Sequence, residues 1–172
     1  MSENYLHGVE VVEIDSGPRP IQTVRSSVIG IVGTAPRADE AAFPLNTPVL
    51  IAGSIKEAAK LRANAGDDDG TLPAALDAIF DQAGAVVVAI RVAKAESDAD
   101  TLANVLGGTN ATTGEYEGLK ALLGAESKLG VVPRILIAPG FTHQRTNGQA
   151  NAVVSALQGI AAQLRAVIIA DG

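Results

Sequence analysis

The chain offers two imidazoles, His7 and His143, as candidate general bases. His143 lies in the polar stretch Phe141-Thr142-His143-Gln144-Arg145-Thr146-Asn147-Gly148, just after an apolar run that reads as a strand. Loops at strand ends are where α/β proteins keep catalytic groups. A Gly-x-Ser-x-Gly elbow does not accompany it, and no second histidine stands at metal-ligand spacing. A solvated loop residue is therefore the leading reading of His143. A small soluble α/β enzyme or ligand-binding domain working through this loop is the alternative. His7, beside Gly8, has no acid or nucleophile fixed near it by spacing. Asp67-Asp68-Asp69-Gly70 invites a calcium reading, but calcium loops place oxygens at alternate positions with a glutamate near position twelve. Consecutive acids running straight into Thr71-Leu72-Pro73 read as a solvated turn entering a helix. Gly30-Ile31-Val32-Gly33-Thr34 could suggest a phosphate loop, yet it fits neither nucleotide fingerprint, and Pro36 stands where the helix should begin. Glycines for tight packing are the better reading. With no cysteine there is no thiolate nucleophile, disulfide or Cys-ligated metal. The expectation is no catalytic residue, no metal and no cofactor.

The elements that would position such groups alternate along the chain. Apolar strands are expected at roughly 28–33, 85–92, 134–138 and 166–170, with a brief one at Pro48-Val49-Leu50-Ile51. Helices are expected over Ile55 to Asn64, with Ser54 and Glu57 as a capping box. Others are expected over Leu72 to Gln82 (Thr71 as cap, Pro73 in the first turn), Asp98 to Leu106, Leu119 to Lys128 and Asn151 to Arg165. Strands separated by helical crossovers predict an α/β fold with a largely parallel sheet. The strand at 166–170 is expected to be central. No helix follows it to cover its second face, so the expectation is a truncated core, part of a larger subunit.

Val9, Val11, Val12 and Ile14, interleaved with Glu10, Glu13 and Asp15, form a β-branched run closed by Gly17-Pro18-Arg19-Pro20. Two prolines in three residues stop a helix and disfavour a ladder interior. Apolar residues fall on both faces of the run. It is either a first edge strand of the same domain or an arm that pairs with another chain.

Composition narrows the classes further. In 172 residues, 47% are hydrophobic and 3% aromatic, so the core is built from Val, Ile, Leu and Ala. That suits buried strands under Ala-rich helices. A net charge of −6 and a pI near 4.8 exclude an electrostatic footprint for nucleic acid. No run approaches the ~18 apolar residues of a membrane span, and Met1 to Gly8 is not a secretory signal.

An ordered series of segments carries a resemblance. They are His7–Ile14, Ser26–Ala35, Phe43–Ile51, Thr71–Leu76 leading to Val86–Val92, Thr113–Leu123, Pro133–Gly140 and Leu164–Gly172. In this order and spacing they closely resemble the N-terminal part of the contractile tail sheath proteins of P2-like phages and R-type bacteriocins. The resemblance implies a structural subunit, not an enzyme, with an incomplete subtilisin-like core at 21–172 and an extended arm and hinge at 1–20. Tyr5, His7, Val9, Val11, Val12 and Ile14 would be the inter-subunit arm, and Gly17, Pro18 and Pro20 the hinge. Residues 4–16, extended at ~3.3 Å each, span roughly 40 Å, enough to reach a neighbour. The implied partners are neighbouring sheath subunits in a sixfold helical assembly, the tail tube protein, and baseplate and tail terminator proteins. Neither nucleic acid nor membrane is among them. The implied location is a virion tail or bacteriocin particle assembled in the bacterial cytoplasm.

Overall fold

The apolar, β-branched runs become strands, and the segments between them become helices on both faces. The computed structural model describes residues 27–171 apart from Ser54, Gln144, Thr146 and Asn147. Its sheet comprises β1 (Ile29–Thr34), β2 (Pro48–Ala52), β3 (Val86–Val92), β6 (Ile135–Ile137) and β7 (Val167–Ile168) in the order β2-β3-β1-β6-β7. β1 pairs in parallel with β3 and β6, and β6 with β7, whereas β2 runs antiparallel along β3. The expected α/β architecture with a mostly parallel sheet is thus present.

Side-chain alternation along the strands builds two layers of core. Val32, Ile90, Val92 and Leu136 face α3 (Asp98–Leu106), α5 (Ala152–Leu164) and a 3-10 segment, Gly118–Gly124. Ile31, Val87 and Ala89 face α2 (Leu72–Gln82), Leu61 and the loop carrying Phe43. A small hairpin of β4 (Gly108–Thr109) and β5 (Tyr116–Glu117) stands apart from the main sheet. Its turn is organised by Asn110, whose side chain accepts from the Thr112 and Thr113 amides.

Several expectations are corrected. The last strand, β7, is at the edge of the described sheet, not at its centre. β1 already occupies one side of β6, so the α5 crossover can deliver β7 only to the other. The helix expected over 55–64 is one α turn, α1 (Ile55–Ala58), tightening into a 3-10 turn at Ala59–Arg62. The preceding loop takes the bonds that would extend it: the Asp39 amide donates to the Lys60 carbonyl, and the Asn64 amide to that of Arg37. Ser54, the proposed cap, lies outside the described residues. The segment 119–128 is likewise divided into the 3-10 segment and α4 (Ala125–Leu129). Three-residue periodicity puts Leu119 and Leu122 on one face, both fully buried.

Candidate functional site

Ligands of open α/β sheets bind beyond the carboxyl ends of the strands. At β1 that region is closed by the protein itself. At the end of β1, the Thr34 amide donates to Thr71 Oγ1 at 3.1 Å and the Thr71 amide returns a bond to the Thr34 carbonyl at 2.9 Å. Thr71 therefore precedes α2 as expected, but its hydroxyl serves β1 and makes no capping bond to its own helix. A Cβ on Gly33 would come within 2.4 Å of Thr71 Oγ1, and one on Gly30 within 2.8 Å of Leu122. Both glycines are there for close packing, and the loop after β1 is not a cradle for phosphate.

Beside it, Arg91 of β3 is buried and donates to the carbonyls of Phe43 at 2.6 Å and Ala35 at 3.4 Å. Its own backbone carbonyl accepts from the Asn46 amide at 2.8 Å. Asn46 sits at φ 55° and accepts the Gly118 amide on Oδ1 at 3.0 Å. The residues from Ala35 to Asn46 are thereby pinned over the sheet end. Sequence reasoning passed over both residues. The available signal for Arg91 was a lone cation inside the apolar run Val86–Val92.

The Asp67–Asp69 turn is not a bare solvated turn. Asp69 accepts from Arg37 Nη1 at 2.5 Å and Arg62 Nε at 2.8 Å, while Arg62 Nη1 reaches Asp77 at 2.8 Å. Lys94 pairs with Asp68, which also accepts the Gly70 amide at 3.0 Å. The bond from Arg62 holds the Asp69 carboxyl below the usual carboxylate range, and Lys94 does the same for Asp68. The Arg62 guanidinium is raised in turn, chiefly by Asp77. Asp68 and Asp69 are engaged by separate cations, so the turn does not aim its oxygens at one point as a calcium loop does.

His143 is exposed, and among the described residues no hydrogen bond or ion pair joins it to an acid or a hydroxyl. Its loop is held from either side. Asn151 caps α5 by accepting the Val154 amide and donates from Nδ2 to the Phe141 carbonyl, both at 2.9 Å. Thr142 donates to Asp171 at 2.8 Å. The arm residues Tyr5, His7, Val9, Val11, Val12 and Ile14, and the hinge at Gly17, Pro18 and Pro20, lie outside the described residues.

What the surface does offer is apolar. Val167 and Ile169 are 65% and 60% exposed. Register places Val167 beside Ile135 and Ile168 beside Leu136. Leu136 and Ile168 belong to the α5-side core, so Val167 and Ile169 share the opposite face with Ile135 and Ile137.

Comparison with known proteins gives this arrangement its context. A family profile described as "Tail sheath protein Gp18 domain III N-terminal region" matches residues 26–92. The tail sheath protein of Escherichia phage P2 is 42% identical, with 95% of this chain and 39% of the relative covered. A putative prophage major tail sheath protein of Pseudomonas aeruginosa is 36% identical over 98% of this chain and 41% of the relative. The major tail sheath protein of Serratia phage KSP20 is 40% identical over 96% and 40%. The chain thus spans about two-fifths of the length of the curated relatives it matches.

Proposed function

The chain belongs to the tail sheath protein family, and from that membership we propose that it forms part of a subunit of a contractile sheath that polymerises around a tail tube. The observation that carries this reading is identity of 36–42% across nearly the whole chain to three sheath proteins. The family is structural rather than enzymatic. The closed end of β1, where Thr71, Arg91 and Asp69 hold backbone and loops together, supports a structural body over a binding cleft there.

Residues 1–20 act as an arm and hinge that join neighbours, and residues 21–172 as part of the α/β body. The arm adds a strand to a neighbouring subunit's sheet, where main-chain hydrogen bonds give affinity and alternate side chains fix register. Such head-to-tail contacts are heterologous, and where rotation does not close them they generate helices. The sheath reads as a sixfold helix around the tube protein, bounded by baseplate and terminator proteins. It assembles in the bacterial cytoplasm and is carried in a virion tail or bacteriocin particle. Contraction releases a metastable packing as bodies rotate while the arms keep the mesh connected, driving the tube through an envelope.

The test uses this chain joined to the part of the phage P2 relative that it does not cover. Tubes seen by electron microscopy are the expected product, and deleting residues 1–16 should leave soluble folded subunits that form none. Normal sheaths from the deletion would remove the arm from this account.

A further inference from the structure

The chain has only two tyrosines, and one of them, Tyr116, stands on β5 with 45% of its surface exposed. Tyrosine is a favoured anchor of contact surfaces, its ring giving apolar area and its hydroxyl a polar handle. The Tyr116 hydroxyl makes no hydrogen bond to a described residue. Tyr116 lines a groove of about 220 Å³ between the β4–β5 hairpin and α4, with Pro48, Leu123 and Ser127. Small-molecule pockets start near ~300 Å³, so this one suits side chains of a peptide rather than a cofactor. Glu115 and Lys128 also line it, paired at 3.4 Å and both well exposed. So loose a pair is worth little and leaves the carboxylate open to a second cation.

We propose that this groove is the dock for the chain's own Pro18-Arg19-Pro20 segment, held in extended polyproline form. Aromatic-lined grooves take proline-rich segments because their backbone is already extended and loses little freedom on binding. Such a backbone leaves its carbonyls unpaired, and the Tyr116 hydroxyl is a donor for one of them. Arg19, between two prolines, supplies the planar cation that pairs best with the Glu115 carboxylate. Position favours this occupant over a segment of a second copy. The described chain enters β1 through Val28, which shares a buried cluster with Ala125 of α4. Gly124, next to Ala125, lines the groove. Residues 20–27, extended at ~3.3 Å each, span roughly 23 Å, about twice the width of a helix. The segment therefore has the length to cross α4 and lie in the groove. The consequence for assembly rests on the sheath reading: a docked hinge fixes the direction in which residues 1–16 leave the body.

The chain has no cysteine, so a nitroxide spin label can be placed at one engineered thiol. Ala111→Cys puts it on the exposed turn of the hairpin whose Gly114 lines the groove. Ile55→Cys, at an exposed residue of α1, serves as control. The 172-residue chain is studied as a dilute monomer through the paramagnetic broadening of its amide signals, and the remaining signals report folding in each variant. Expected is strong broadening at the Gly17, Arg19 and Ile21 amides from position 111 and none from position 55. Arg19→Glu or Glu115→Arg should abolish it, and the two together should restore it. Pro18→Ala with Pro20→Ala should weaken it. No broadening from 111 would overturn the proposal, as would equal broadening from 111 and 55 or broadening that is the same in every variant. Broadening seen only when spin-labelled chain is mixed with isotope-labelled chain would overturn it too, giving the groove to a second copy's segment. Because the monomer is measured before any assembly, failure here is separable from failure to form tubes.

Discussion

Thr34 and Thr71, thirty-seven positions apart in the chain, hold each other by hydrogen bonds in both directions across the carboxyl end of β1. The Thr34 side chain is buried, so the bond that its amide makes to Thr71 Oγ1 has no ready substitute in water. Gly70, at φ 74°, completes the joint: a Cβ there would fall 2.3 Å from the Thr34 carbonyl oxygen. A strand, a turn and a helix start are thus fastened at one point.

Removing the hydroxyl should therefore cost more than a surface threonine would. Thr71→Ala leaves the Thr34 amide unpaired, and about 1–2 kcal/mol of stability should be lost. Thr71→Ser, which keeps the acceptor, should retain most of it. Gly33→Ala drives its methyl toward the same oxygen and should be destabilising alone. Combined with Thr71→Ala it should be less than additive, by at least about 0.5 kcal/mol. Urea denaturation of the four proteins decides this. Additive losses would mean that the contact does not set the glycine requirement.

The elements were legible where local chemistry and packing agree. α2 and α3 begin and end at the residues expected, Leu72–Gln82 and Asp98–Leu106, because Pro73 and the Ser97 cap specify starts that the tertiary structure keeps. Val86–Val92 is a strand flanked on both sides, and its apolar character, broken only by Arg91, says so. Strand order was less legible, since a crossover helix does not state on which side of β6 the next strand falls. The roles of Arg91 and Asn46 were not legible at all. Their partners lie 48 and 72 positions away, and no local pattern encodes such contacts.

Arg91 makes a second prediction. Its guanidinium is buried and serves the carbonyls of Phe43 and Ala35. Arg91→Met keeps the apolar stem but leaves both carbonyls without this donor, and about 2–4 kcal/mol of stability should be lost. Arg91→Lys should recover only part of the loss, because an ammonium lacks the planar fork that reaches two acceptors. Thermal and urea unfolding measure the ranking, and a lysine variant equal to the native chain would show that charge alone suffices.

The acid limb of stability should carry the signature of Asp68 and Asp69. Both carboxyls are held low in the folded chain, by Lys94 and by Arg62 with Arg37. Their contribution is fully present above the ordinary Asp value of about 3.9 and is lost as pH falls through the depressed folded values. Asp68→Asn with Asp69→Asn should lower the melting temperature at neutral pH and flatten its decline below about pH 4. Added salt should shrink the difference, since these pairs are partly exposed. Parallel acid limbs for variant and native chains would count against the network.

Asn46 joins the sheet end to the 3-10 segment through two demands on one residue. Its backbone lies in the left-handed region, which asparagine tolerates and alanine does not, and its Oδ1 accepts the Gly118 amide. Gly118 is itself at φ 57°, with Val105 and Asn104 carbonyls packed where a Cβ would stand, so the acceptor cannot be replaced by shifting that backbone. Asn46→Ala should incur both penalties, strain and a lost bond, for about 2 kcal/mol in total. Asn46→Gly relieves the strain but not the lost bond, and should fall between. Asn46→Asp keeps an acceptor and should remain nearest the native chain. Hydrogen exchange at the Gly118 amide separates the two demands: it should accelerate equally in the Ala and Gly variants and stay protected in Asp. Equal protection in all three would show that the amide does not depend on Asn46, leaving backbone conformation as the sole reason for the residue.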